Sequence, residues 1–172
     1  NITFTSPSIQ NVGGGSILIP HPRIEINGAG CESSGESIFN VSAFIIFANG
    51  SVPIRSELKG DLTAHAVNGR IEFKNLIIDR SDGPYVIEFV FGTFTVQSNN
   101  FFVLIGPTQL MHIVKQASSM NVAGENIIIQ PSVGFFDIGM NLNKTMKFDV
   151  NATLFDYDSK VSPLSGNNIM SS

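Results

Sequence analysis

The chain has 172 residues, room for one or two modest domains, and its 42% hydrophobic against 14% charged residues give it far too much apolar surface to stay disordered. Net charge is −4 and the ten Lys and Arg are scattered singly, so no basic stripe exists to neutralise a run of phosphates, and nucleic acid is not an expected partner. Fourteen Phe, sixteen Gly and eight Pro, without a sustained i, i+3, i+4 apolar pattern, describe short strands separated by turns.

Asn1-Ile2-Thr3-Phe4 reads as the middle of a strand over Ile2–Thr5, so the start is expected to be a cut from a longer polypeptide. Gly13-Gly14-Gly15 lacks the Lys-Ser/Thr and the helix of a phosphate loop and reads as a turn. Strands are expected over Ile17–Ile26 and Ser37–Phe47. The second carries the longest strongly apolar run, Ala43–Ala48, far below the ~20 residues that cross a bilayer. Asn49-Gly50 and Asn68-Gly69 favour positive φ and tight hairpins. After the latter, Arg70-Ile71-Glu72-Phe73-Lys74 alternates with Ile71 and Phe73 on one face, and Leu76-Ile77-Ile78 closes the segment. Tyr85–Phe91 places Tyr85, Ile87, Phe89 and Phe91 together. Gly92-Thr93 turns the chain into Phe94–Val96, Phe101–Ile105 makes a last strand, and Gly106-Pro107 ends the pairing.

The remainder repeats the beginning about 110 residues later. Asn11-Val12-Gly13-Gly14 stands opposite Asn121-Val122-Ala123-Gly124, and Ile17-Leu18-Ile19-Pro20 opposite Ile127-Ile128-Ile129-Gln130. Arg23–Gly28 parallels Val133–Gly139, and Phe39–Ala43 lines up with Val150–Leu154. The reading is one unit over 1–106, with about seven strands, and over 107–172 the N-terminal part of a second. The counterpart of Gly69–Ile105 is missing from that copy. The natural chain is therefore expected to continue past Ser172, or another subunit to supply strands through exposed edges.

Asp82-Gly83-Pro84-Tyr85-Val86-Ile87 resembles the turn into strand F of immunoglobulin-like domains, where a Tyr hydroxyl bonds back to the backbone. Ile87 stands where antibody domains carry a disulfide cysteine, so no bridge between sheets is implied. Filamin repeats and bacterial immunoglobulin-like repeats use a similar pattern. Gly69, Phe73, Leu76, Ile78, Gly83 and Tyr85 resemble one stretch of such tandem extracellular repeats, and Gly124–Asn141 resembles the opening of one. The resemblance implies an all-β fold of tandem immunoglobulin-like β-sandwich repeats, the second incomplete.

Five Asn-x-Ser/Thr sequons begin at Asn1, Asn40, Asn49, Asn143 and Asn151, and N-glycans are expected on them. Alternation turns the Asn40 and Asn151 amides outward, and Asn49 tops a turn. The one cysteine, Cys31, forms no disulfide within the chain. Chemistry is otherwise sparse: His21, His65 and His112 are far apart, and no Gly-x-Ser-x-Gly elbow or Cys-x-x-Cys occurs. Asp79, Asp82, Asp137, Asn141 and Asp156-Tyr157-Asp158 are oxygen donors in expected loops. Acidic turn residues bonding their own backbone are the commoner case, although calcium at a repeat junction stays open. No catalytic, cofactor or metal site is expected. The composition and the resemblance lead to a non-catalytic structural or adhesive segment of an extracellular or cell-surface glycoprotein, with neighbouring repeats as partners. The alternatives are a ligand- or glycan-binding module and an accessory domain of a larger secreted enzyme.

Overall fold

A computed structural model of the chain describes residues 2–27, 40–53, 57–155, 161–162 and 169–171. The described residues contain strands and turns and no helix. The strands are β1 (Ile2–Phe4), β2 (Val12–Gly13), β3 (Arg23–Ile26), β4 (Asn40–Phe47), β5 (Leu58–Lys59), β6 (Thr63–His65), β7 (Arg70–Glu72), β8 (Ile77–Ile78), β9 (Asp82–Phe91), β10 (Phe94–Gln97) and β11 (Phe101–Leu104). They are followed by β12 (Leu110–Lys115), β13 (Ser132–Phe136), β14 (Asp149–Asn151), β15 (Leu154–Phe155), β16 (Val161–Ser162) and β17 (Ile169–Ser171).

Two sheets face each other. One runs β1-β3-β7, with an Ile17–Ile77 bridge and the β5–β8 pair nearby. The other runs β2-β11-β9-β4-β6, and β10 also pairs with β9. Period-two alternation decides which side chains turn inward. In β4 these are Val41, Ala43 and Ile45, while Asn40 and Phe44 are exposed. In β9 Tyr85, Ile87 and Phe89 are fully buried. Phe73 and Phe89 bring the sheets together at a ring separation of 5.2 Å, with Phe4 at 5.9 Å from Phe89 on its other side. Phe47 and Phe101 flank Tyr85 at 5.1 and 6.3 Å. Ile71 joins the same core, whereas Phe91 at the strand's end is half-buried.

The expected turn at Asn68-Gly69 is present. Asn68 (φ 51°) and Gly69 (φ 71°) both adopt positive φ, and Val67 and Arg70 exchange both backbone hydrogen bonds. It joins strands of opposite sheets, β6 and β7, and so crosses the sandwich instead of closing a hairpin within one sheet. Asn49-Gly50 also turns, with the Gly50 N–H on the Phe47 carbonyl. The expected turn at Asp82-Gly83 differs: both residues belong to β9, and Asp82 pairs with Val103. The short strands β2, β5 and β6 lack an alternating apolar signature and exist through their neighbours. β2 is held beside β11 in parallel, Val12 against Val103, after Asn99 has bonded the preceding Ile9 at both its N–H (2.7 Å) and its carbonyl (3.0 Å).

The β12–β13 hairpin matches β1–β3 in register. Ile2 pairs with Ile26 and Phe4 with Ile24; in the corresponding places Met111 pairs with Phe135 and Ile113 with Val133. A turn precedes the second strand in both places, closed by Ser16 N–H to the Gly13 carbonyl in one and Glu125 N–H to the Val122 carbonyl in the other. Gly15 (φ 76°) and Gly124 (φ 83°) hold its third position. The turn hydrogen bond therefore sets Gly14 opposite Ala123, one residue off the sequence alignment. Exposure differs sharply. In the first pair Ile2, Ile24 and Ile26 are buried in the core, and the polar face carries the ion pairs of Arg23 with Glu72 and of Arg70 with Glu25. In the second, Met111 and Ile113 stand in the places of Ile2 and Phe4, beside Phe135 and Val133, and both are exposed.

By compactness the chain divides into two units, Asn1–Leu142 and Asn143–Ser172, and the β12–β13 hairpin belongs to the first. In the second unit, Asn143–Ser172, β14 pairs with β17 and β15 with β16, both antiparallel.

Replacing Phe89 by Ala empties the contact between the sheets and is expected to cost about 3–5 kcal/mol in denaturant-unfolding free energy. A second expectation concerns acid. The hydrogen bond from Arg23 holds the exposed Glu72 carboxyl below its usual range. A lowered folded-state value means that the pair stabilises the fold above the unfolded value and ceases to as pH falls through the folded one. A small, salt-screened stability difference between the parent and Glu72→Gln should thus be measurable at neutral pH and vanish in acid.

Candidate functional site: surface asparagines and a buried polar joint

Four of the five sequon asparagines fall within the described residues; Asn1 lies outside them, as does Cys31. Asn40 is exposed at the start of β4, its side-chain oxygen 2.5 Å from His65 Nδ1. Asn151 is exposed at the end of β14. Asn49 and Asn143 share a geometry that the sequence did not distinguish. The Ser51 N–H and Oγ–H donate to Asn49 Oδ1 at 3.0 and 2.7 Å. The Thr145 N–H and Oγ1–H donate to Asn143 Oδ1 at 3.0 and 2.9 Å. In each the sequon is folded into an Asx-type turn, the local bonding that short polar side chains favour outside regular structure.

The most elaborate polar arrangement lies where β11 leads into the β12–β13 hairpin. Asp137 follows β13 and its side chain is fully buried. Isolated, such a carboxylate would be costly, and N–H donors fill its acceptor positions. Oδ1 accepts from the Asn141 backbone N–H at 2.8 Å and from Asn141 Nδ2 at 3.0 Å. Oδ2 accepts from the Gly106 N–H at 2.8 Å and from Asn141 Nδ2 at 3.0 Å. Asn141 Nδ2 also donates to the Asp79 carbonyl at 2.6 Å, and its Oδ1 accepts the Ser81 N–H at 2.8 Å. The loop 137–141 is closed by Met140 N–H on the Asp137 carbonyl, with Met140 at φ 63°. Lys59 salt-bridges the Asp79 side chain at 2.9 Å, which holds its ammonium above its usual value chiefly through that hydrogen bond.

Three of the oxygen donors weighed for calcium, Asp79, Asp137 and Asn141, thus meet. Asp82 is exposed in β9, and Asp156-Tyr157-Asp158 lies outside the described residues. The donor set joins loop to sandwich through N–H groups, with Asn141 turning its amide nitrogen toward the carboxylate. Its chemistry is that of a fastening. Sequence inspection named these residues but could not see that Asn141 presents nitrogen to one partner and oxygen to another. Among the described residues no group of three His, Cys, Asp and Glu is placed to hold a metal ion, and the histidines lie apart: His21 before β3, His65 in β6, and His112 in β12 against Phe136. Among them, too, no helix is long and apolar enough to cross a membrane.

Replacing Asp137 by Ala leaves the Gly106 and Asn141 N–H groups without their acceptor, at about 1–3 kcal/mol for each donor left unmet. A lower urea midpoint is expected for the unit ending at Leu142, with the exposed Asp82→Ala as the control that leaves it unchanged. No family model, curated protein or solved structure matches this chain.

Proposed function

We propose that this chain is a non-catalytic structural or adhesive segment of an extracellular or cell-surface protein built from tandem immunoglobulin-like β-sandwich repeats and carrying N-glycans. One observation carries the reading: a second hairpin repeats the register, turn and positive-φ glycine of the first, and it is fastened to the preceding sandwich by a buried carboxylate joint. Fastened repeats suit a protein that holds distance or transmits position. Strand order adds support. In an immunoglobulin-like sandwich, β1, β3 and β7 would correspond to strands A, B and E, and β11, β9 and β4 to strands G, F and C. The exposed asparagines fit the glycoprotein part, since Asn40, Asn49 and Asn151 are open to solvent.

A ligand-binding module is a second reading, favoured by the apolar face of the second hairpin. There Met111 and Ile113, beside Phe135 and Val133, stand in the places of Ile2 and Phe4 of the first core, yet both are exposed. An apolar outward face on a strand pair is the surface that a partner covers.

Secretion from eukaryotic cells followed by glycopeptide mass spectrometry tests the main reading. Glycans are expected at Asn40, Asn49, Asn143 and Asn151. Secreted material whose peptides are unmodified at all four would remove the glycoprotein part of the proposal.

A further inference from the structure

The end of the sandwich that receives loop 137–141 is packed so closely that one methyl group decides what fits. A Cβ on Gly14 would stand 2.1 Å from Asn141 Nδ2, 2.4 Å from the Asp79 carbonyl oxygen and 2.9 Å from Asp137 Oδ2. Two of these atoms are the polar groups of the joint and the third is backbone, so none can give way without breaking a hydrogen bond of the joint. Across the contact Gly139 is equally confined, its would-be Cβ 2.2 Å from the Asp79 carbonyl oxygen and 2.7 Å from the Gly14 carbonyl carbon. Gly15 beside it has φ 76°, but Gly14 itself lies outside the left-handed region. The missing side chain at Gly14 therefore answers to space and not to backbone conformation.

The equivalent turn of the second hairpin has the same closing hydrogen bond and the same positive-φ glycine, yet carries Ala123 where the first has Gly14. We propose that the surface formed by Gly14, Asp79, Ser81 and Gly106 is a recognition site for a single loop sequence, Asp-x-Gly-x-Asn. Gly14 is its specificity-determining residue, and Ala123 bars the turn Val122–Glu125 from a joint of the same kind. The first part stands on the joint alone; the exclusion of the second turn rests on the repeat reading, because it equates the two turns. The joint is then particular to this sandwich and this hairpin and does not propagate unchanged along an array.

Gly14→Ala gives the first turn the residue of the second, and NMR of the full chain reads the result. In the parent, amide dipolar couplings from β4 and β9 and from β12 and β13 should fit one alignment tensor, with the Ser81, Gly106 and Asn141 amides protected from exchange. In Gly14→Ala the hairpin and sandwich should need separate tensors. Those three amides should exchange at least about tenfold faster while Ile45 and Phe89 keep parent rates. Ala123→Gly should leave every value as in the parent. If Gly14→Ala also releases the core amides, Asn141→Ala, which removes the loop's side of the contact, decides by the same readout. One shared tensor with protected amides in these variants overturns the proposal, and two tensors in the parent abolish the site. A joint that behaves as proposed in a gene without further copies leaves the site standing and removes only the repeat reading.

Discussion

A strand hydrogen-bonded along both edges and buried on one face has almost no freedom of register, since a slip of one residue would carry its whole apolar set to the wrong side. β9 is in that position, with β4 on one edge and β10 and β11 on the other. Tyr85, Ile87 and Phe89 then dictate what the facing sheet must supply, and Phe73 and Phe4 supply it. Once β9 is placed, β11 is placed, and the end of β11 fixes Gly106, whose N–H is one of the donors to Asp137. The polar joint is thus an extension of the apolar core: the core brings Gly106 and Ser81 to positions where one loop can satisfy both.

What the sequence disclosed follows the same division. Alternation made β4, β7 and β9 legible, because a half-buried strand writes its two faces into every second residue. Asn68-Gly69 was legible because few other dipeptides accept positive φ twice in succession. The sheet crossing it serves was not, since turn chemistry is local and sheet membership is not. β2 and β5 carry two residues each and owe their pairing to partners distant in sequence, which leaves no periodic trace. Asp82-Gly83 read as a turn through its resemblance to immunoglobulin-like domains, and in the structure Asp82 pairs with Val103. Asp137 and Asn141 were visible as polar residues in a loop. Their role was not, because it depends on Asp79 and Gly106, brought near by the fold.

The second hairpin combines both lessons. Its register and turn repeat the first, one residue off the alignment of the two sequences, but its burial does not. Met111 and Ile113 stand in the places of Ile2 and Phe4 and are exposed, a change of surroundings on a similar backbone. Backbone geometry and burial are separate properties, and two strand pairs can share the one while differing in the other.

The parallel pairing of β2 with β11 has a mechanical meaning. After β1 the chain joins the other sheet through β2 and leaves it through β11, and the two run side by side in the same direction, Val12 beside Val103 and Gly13 beside Leu104, with the Gly14 N–H on the Leu104 carbonyl. A pull on the two ends of the sandwich would drag these strands past each other lengthwise, loading their hydrogen bonds together instead of opening them one after another as in a zipper. Those bonds would share the load with the core and yield only collectively, which makes the short β2 a shear pin between the segment that follows β1 and the chain's exit through β11.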